Sequence, residues 1–121
     1  MSSTWLTKPG SRWRPLHVPR DPTSGSTDTS VWLVEIDGGT PATPHELTRE
    51  EVFVVLSGRA AVRIGDRDHE AGVGDAIVVP AGVPFALAPA GDEPLRALCC
   101  LPVGGQARMP GGEPFTPPWA V

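Results

Sequence analysis

The chain has 121 residues, enough for one domain with a buried core, and its 20% charged and 40% hydrophobic residues make an ordinary globular balance. A formal charge of -4 leaves no basic face with which to displace counterions from a nucleic acid. No basic amphipathic segment points to a membrane surface, and the longest apolar run, Val52 to Leu56, is far too short to span a bilayer.

Lys8, Arg12 and Arg14 near the N-terminus are followed by no apolar stretch, so no signal peptide is expected and a cytoplasmic location is the default. Residues 1–30 read as an N-terminal arm, with a polar, loop-like stretch over 19–30. The 15 prolines and 14 glycines cut the rest into short pieces, none with a clean helical period. Val31 to Ile36 is the first predicted strand, stopped by Asp37-Gly38-Gly39. Trp32 shares a face with Val34 and Ile36, which suits core or interface packing. Val52 to Leu56 reads as a strand buried on both faces, ended by Ser57-Gly58. Ala60–Ile64 and Arg67–Ala71 flank Gly65-Asp66, a hairpin pair. Asp75–Val79, Phe85–Ala88 and Leu95–Leu101 complete the set. Short, evenly spaced strands with turns between them define an all-β sandwich or barrel.

Cys99 and Cys100 are sequence neighbours, so in a strand they point to opposite faces and are poorly placed to bridge each other. Two reduced core or near-core thiols are expected. The segment 102–121 is a Pro/Gly-rich tail with five prolines and four glycines. Its Phe115 and Trp119 are expected to dock on the barrel or on a partner subunit.

Two spaced motifs carry a family resemblance. Gly39, His45, Glu51 and Gly58 fall on the first cupin motif, which runs Gly, five residues, His, one residue, His, three or four residues, Glu, six residues, Gly. Gly74, Pro80 and Gly82 fall on the second, which runs Gly, five residues, Pro, one residue, Gly, two residues, His. The chain thus resembles a small single-domain cupin. The resemblance implies a double-stranded β-helix, or jelly-roll barrel, over residues 31–101. In metal-binding cupins three His and one Glu hold a divalent metal. Here the second His position is Leu47 and the His of the second motif is Phe85, so two of four ligands are gone. His17 and His69 are poor replacements, the first because it precedes the barrel and the second because it sits between Asp68 and Glu70. No metal is assigned; His45 and Glu51 are the residues for one if any binds.

With the inherited geometry, His45 and Glu51 meet in a mostly apolar pocket with Leu47 and Phe85. Phe53 and Val55 share strand parity with Glu51 and line the same wall. Arg63 lies in a strand, and facing inward it would bind a carboxylate or phosphate. This arrangement suits a small organic ligand. It also suits a metal-independent isomerase, cyclase or dehydratase with His45 and Glu51 as the proton-transfer pair. Two other readings stand beside it: a non-catalytic ligand-binding or sensing barrel, and a metal-dependent oxygenase with atypical ligands. In the plainer reading, Glu51 is a carboxylate paired with His45 or Arg49, and Glu46, Arg49 and Glu50 form a solvated turn. Richness in Ala, Gly, Pro, Arg and Val suggests a high-GC bacterial source, where small cupins resemble accessory enzymes of secondary metabolism. A homodimer is expected, with the N-terminal segment or the Trp119 tail contributing, because a short barrel leaves sheet edges that need cover.

Overall fold

The computed structural model describes residues 11–15, 28–109 and 112–113. Among these described residues ten strands form: β1 (Ser11–Pro15), β2 (Thr29–Ile36), β3 (Glu46–Leu47), β4 (Glu51–Ser57), β5 (Ala60–Ile64), β6 (Arg67–Ala71), β7 (Ala76–Val79), β8 (Phe85–Pro89), β9 (Leu95–Pro102) and β10 (Ala107–Arg108). They build a five-stranded sheet in the order β1-β2-β9-β4-β7, a three-stranded sheet in the order β6-β5-β8, and a small β10-β3 pair. An antiparallel bridge between His45 and Phe85 ties the β3 segment to β8. All pairings are antiparallel. The sheets pack face to face around one apolar core, and the all-β jelly-roll class expected from the motifs holds.

Alternation explains how the core is filled. Trp32, Val34 and Ile36 on β2 point inward, as do Phe53 and Val55 on β4 and Leu95, Ala97, Cys99 and Leu101 on β9. Ala60 and Val62 of β5 and Phe85 and Leu87 of β8 close the other side. Trp32 is thus a core residue, 1% exposed. Each fully buried Phe or Leu contributes roughly 2–3 kcal/mol through the area it removes from water.

The motif glycines act in two ways. Gly58 has φ +78°, and a Cβ there would run into the Pro94 carbonyl, so both conformation and space demand glycine. Gly74 has φ +89° but open space around it, so only its backbone conformation is at stake.

The boundaries differ from the expected ones. Backbone pairing begins in the N-terminal arm, where Ser11–Pro15 lies antiparallel to β2 with Ser11 opposite Ile36 and Pro15 opposite Trp32. Strand β2 starts at Thr29 rather than Val31. At the other end β9 runs to Pro102, and Ala107–Arg108 of the tail pairs with Leu47 and Glu46. Short pieces of both end segments therefore complete sheets. His17, Phe115 and Trp119 lie outside the described residues. Among the described residues no helix is long and apolar enough to cross a membrane.

Candidate functional site

The site is built on three elements. Strand β4 opens with Glu51, which its parity with Phe53 and Val55 turns inward. The residue is 3% exposed. Its β7 neighbour across the ladder is Val79, and Cys99 of β9 lies opposite Phe53. A carboxylate among such groups loses its hydration, and burial alone lifts the Glu51 carboxyl from 4.5 to about 8. It is therefore mostly a neutral acid at pH 7.

His45 sits at the entry to β3, half-buried. Backbone bonds of 2.9 Å in both directions lock it to Phe85. Its ring lies 4.2 Å, centroid to centroid, from the Phe85 ring, and Nδ1 is 3.1 Å from the Thr43 carbonyl. A carbonyl only accepts, so Nδ1–H donates there, and in the neutral ring Nε2 carries the lone pair. Phe85 in turn meets Phe53 at 5.8 Å. The imidazole thus starts an aromatic series that leads to the strand bearing Glu51. Desolvation by burial is the cause of the upward shift.

Leu47, Phe53, Val55 and Phe85 are all between 1% and 4% exposed and belong to the single packed core. They face inward. Arg63 is different. Its side chain is 57% exposed, faces outward, and donates to the Asp68 carboxylate at 3.3 Å. The reason is parity: Val62 takes the inward position, so its neighbour cannot. With Ala42, Ala61, Ala86 and Ala88, Arg63 lines an open outer depression of about 560 Å³ instead of the barrel interior. His69 is exposed, as expected.

One residue was not anticipated as it stands, and one expected core thiol comes close to the acid. Glu46, expected in a solvated turn, is 8% exposed and accepts a hydrogen bond from Arg108 at 3.3 Å across the β3–β10 pair. Arg49 and Glu50 are exposed, as a solvated turn requires. Cys99 is fully buried on the inner face, and burial, with Glu51 and Cys100 adding to it, holds its thiol well above the usual range. Its parity with Leu95, Ala97 and Leu101 was the signal available in the sequence. Both cysteines are free thiols.

A cupin-type metal centre does not fit this donor set. Leu47 and Phe85 carry no lone pair to offer, and among the described residues no three His, Cys, Asp or Glu side chains converge to hold an ion.

The fold and these positions define a small jelly-roll barrel with a buried acid on its fourth strand. The family model for the Cupin domain matches residues 32–101, and the chain belongs to that family. The protein MJ1618 of Methanocaldococcus jannaschii is 29% identical over 96 residues, which is 79% of this chain and 76% of that one. Among solved structures, KdgF from a Halomonas species superposes with a TM-score of 0.66 at 18% identity, covering 79% of this chain and 82% of that one. A structure of DMSP lyases gives 0.70 at 24% identity, covering 82% of this chain but only 52% of that one. At such identities the structural likeness speaks to the fold alone.

Proposed function

We propose that this cupin binds a small, largely apolar organic molecule and acts on it by metal-independent proton transfer, as an isomerase, cyclase or dehydratase, with Glu51 as the acid–base group. One observation carries the reading: a carboxyl 3% exposed, with a pKa near 8, in a barrel that lacks half of its family's ligand set. A group with that pKa can both give and take a proton near neutral pH, which general acid–base catalysis needs. His45, half-buried and with its lone pair on Nε2, is the second group, orienting the ligand or relaying the proton. The apolar side chains Leu47, Phe53, Val55 and Phe85 keep water from competing.

A non-catalytic binding barrel is the second reading. It is favoured by the membership of those four side chains in one packed core.

The test is proton exchange. Small aromatic ketones with an acidic α-hydrogen are incubated with the protein in D2O and followed by NMR. Wild-type protein is expected to accelerate exchange, and Glu51→Gln to lose roughly a hundredfold or more of that acceleration, the usual share of one acid–base group. Binding without exchange in the wild type would select the non-catalytic barrel. Stoichiometric transition metal in protein purified without chelator would overturn the metal-independent mechanism.

A further inference from the structure

The chain buries two carboxyl side chains and provides for them differently. Glu46 is 8% exposed and accepts a hydrogen bond from Arg108 at 3.3 Å. Glu51 is 3% exposed, and among the described residues no group hydrogen-bonds or ion-pairs with its carboxyl. Its oxygens keep the little accessible surface that the residue has, so they are not sealed off. Val79 stands opposite it on β7, and the next inward residues of β4 and β9, Phe53 and Cys99, stand opposite each other. None of these side chains is a strong donor or acceptor. Buried polar groups are nearly always hydrogen-bonded, because one left open forfeits the solvation that water gave it. A carboxyl held in this way is suited to a ligand rather than to the fold.

The chemistry of the group limits what can match it. At neutral pH it is mostly protonated, because burial disfavours its charge. A protonated carboxyl presents an O–H donor and a carbonyl acceptor side by side in one plane. Its complement carries an acceptor and a donor on neighbouring groups, as a carboxamide, a lactam or an enolised 1,3-dicarbonyl does. An anion would set lone pairs against the Glu51 carbonyl oxygen, and among the described residues no arginine is buried to offset its charge. The rings of Phe53 and Phe85, 5.8 Å apart, offer their faces and edges to a flat apolar body.

We propose that the ligand of this barrel is a neutral, planar molecule that engages Glu51 through two parallel hydrogen bonds, one received and one given, with its apolar part against Phe53 and Phe85. The proposal rests on the reading of Glu51 as a group that touches the ligand, and it adds the class of compound. A plain ketone satisfies half of the carboxyl. A neutral amide or enol satisfies both halves.

Few other titrating groups stand near Glu51. Cys99 faces inward from β9 and stays a thiol, while Cys100 lies on the opposite face. From β7 come only Ala76–Val79. His45 stands half-buried on the β3 side, and Arg49 and Glu50, ahead of β4, are exposed. Ionisation of Glu51 itself, above about 8, turns its donor into a second acceptor and ends the match.

The experiment compares benzamide, which both accepts and donates, with acetophenone, which has nearly the same shape and only accepts. Binding to the full chain is followed by NMR titration, and folding by circular dichroism. Near neutral pH the wild type is expected to bind benzamide roughly tenfold more tightly, since acetophenone leaves one buried oxygen unpaired. The preference should fade as pH rises through about 8. Glu51→Gln keeps an N–H beside a carbonyl, so it should retain the preference and hold it at alkaline pH. Glu51→Leu should show no preference at any pH. Equal binding of the two probes to the wild type would overturn the proposal. So would a preference that survives in folded Glu51→Leu or disappears in folded Glu51→Gln, or no binding of either probe at millimolar concentration. Proton exchange is read separately. A preference without exchange would remove the catalysis and keep the ligand class, and exchange without a preference would do the reverse.

Discussion

The two principal sheets treat their outer faces in opposite ways. The three-stranded sheet is apolar inside, through Ala60, Val62, Phe85 and Leu87, and carries alanines with Arg63, Asp68 and Glu70 outside. The five-stranded sheet is apolar inside and carries Val31, Val52 and Val78 beside the Arg96–Glu35 pair outside, and among the described side chains that it turns inward the one ionisable group besides Cys99 is Glu51. One sheet thus finishes its burial within the chain. The other holds a buried acid on its inner side. Solvation belongs to the first, and the proposed chemistry to the second.

The sharpest way to break this contrast is on the inner faces. Phe85→Ala removes a ring 2% exposed that touches both His45 and Phe53, and is expected to cost about 3–5 kcal/mol in denaturant unfolding. A loss below about 1 kcal/mol would mean that the two sheets do not share a tightly packed core.

Glu51→Gln acts in the other direction and depends on pH. The folded pKa of about 8 lies above the ordinary 4.5. Below the lower value both states are protonated and nothing is lost. Between the two, the unfolded chain sheds a proton that the folded one keeps, so stability falls by about 1.4 kcal/mol per pH unit. Above about 8 the fall is complete, on the order of 5 kcal/mol. The amide variant should remove that slope, matching the wild type near pH 4 and exceeding it at pH 8. Parallel stability curves for the two proteins would show that the carboxyl is ionised in the fold.

Arg63→Ala is expected to change stability by about 0.5 kcal/mol or less, because an exposed ion pair is screened by water. Unchanged ligand binding in this variant would keep the outer depression separate from the barrel interior. A large effect would join them.

Much of this was legible in the sequence, for identifiable reasons. Strands β2, β4, β5, β7, β8 and β9 announce themselves through apolar alternation or runs between glycines and prolines, β6 follows from the Gly65-Asp66 turn, and Gly39, Gly58, Gly74 and Gly82 set the frame around them. Strands β1, β3 and β10 were not. Ser-Arg-Trp-Arg-Pro has no apolar face to read, and two-residue strands such as Glu46–Leu47 and Ala107–Arg108 exist only because each other's backbone is near. Their pairing is tertiary information. Arg63 was legible in principle. A two-residue turn at Gly65-Asp66 forces Arg63 opposite Asp68, and opposite charges across a ladder belong on a wet face. The burial of Glu46 was not, because its partner Arg108 lies 62 residues away. At the site, strand parity sufficed to turn Glu51 inward. The strength of its desolvation depends on what β7 and β9 bring beside it, which no local pattern records.

The neutral acid on β4 has a consequence for the molecule as a whole. The formal charge of -4 counts Glu51 as ionised. At neutral pH the native molecule should migrate in an electric field as though about one unit less negative, and denaturation should discharge a hydrogen ion into the medium. The heat of melting will then vary with the ionisation enthalpy of whichever buffer captures it.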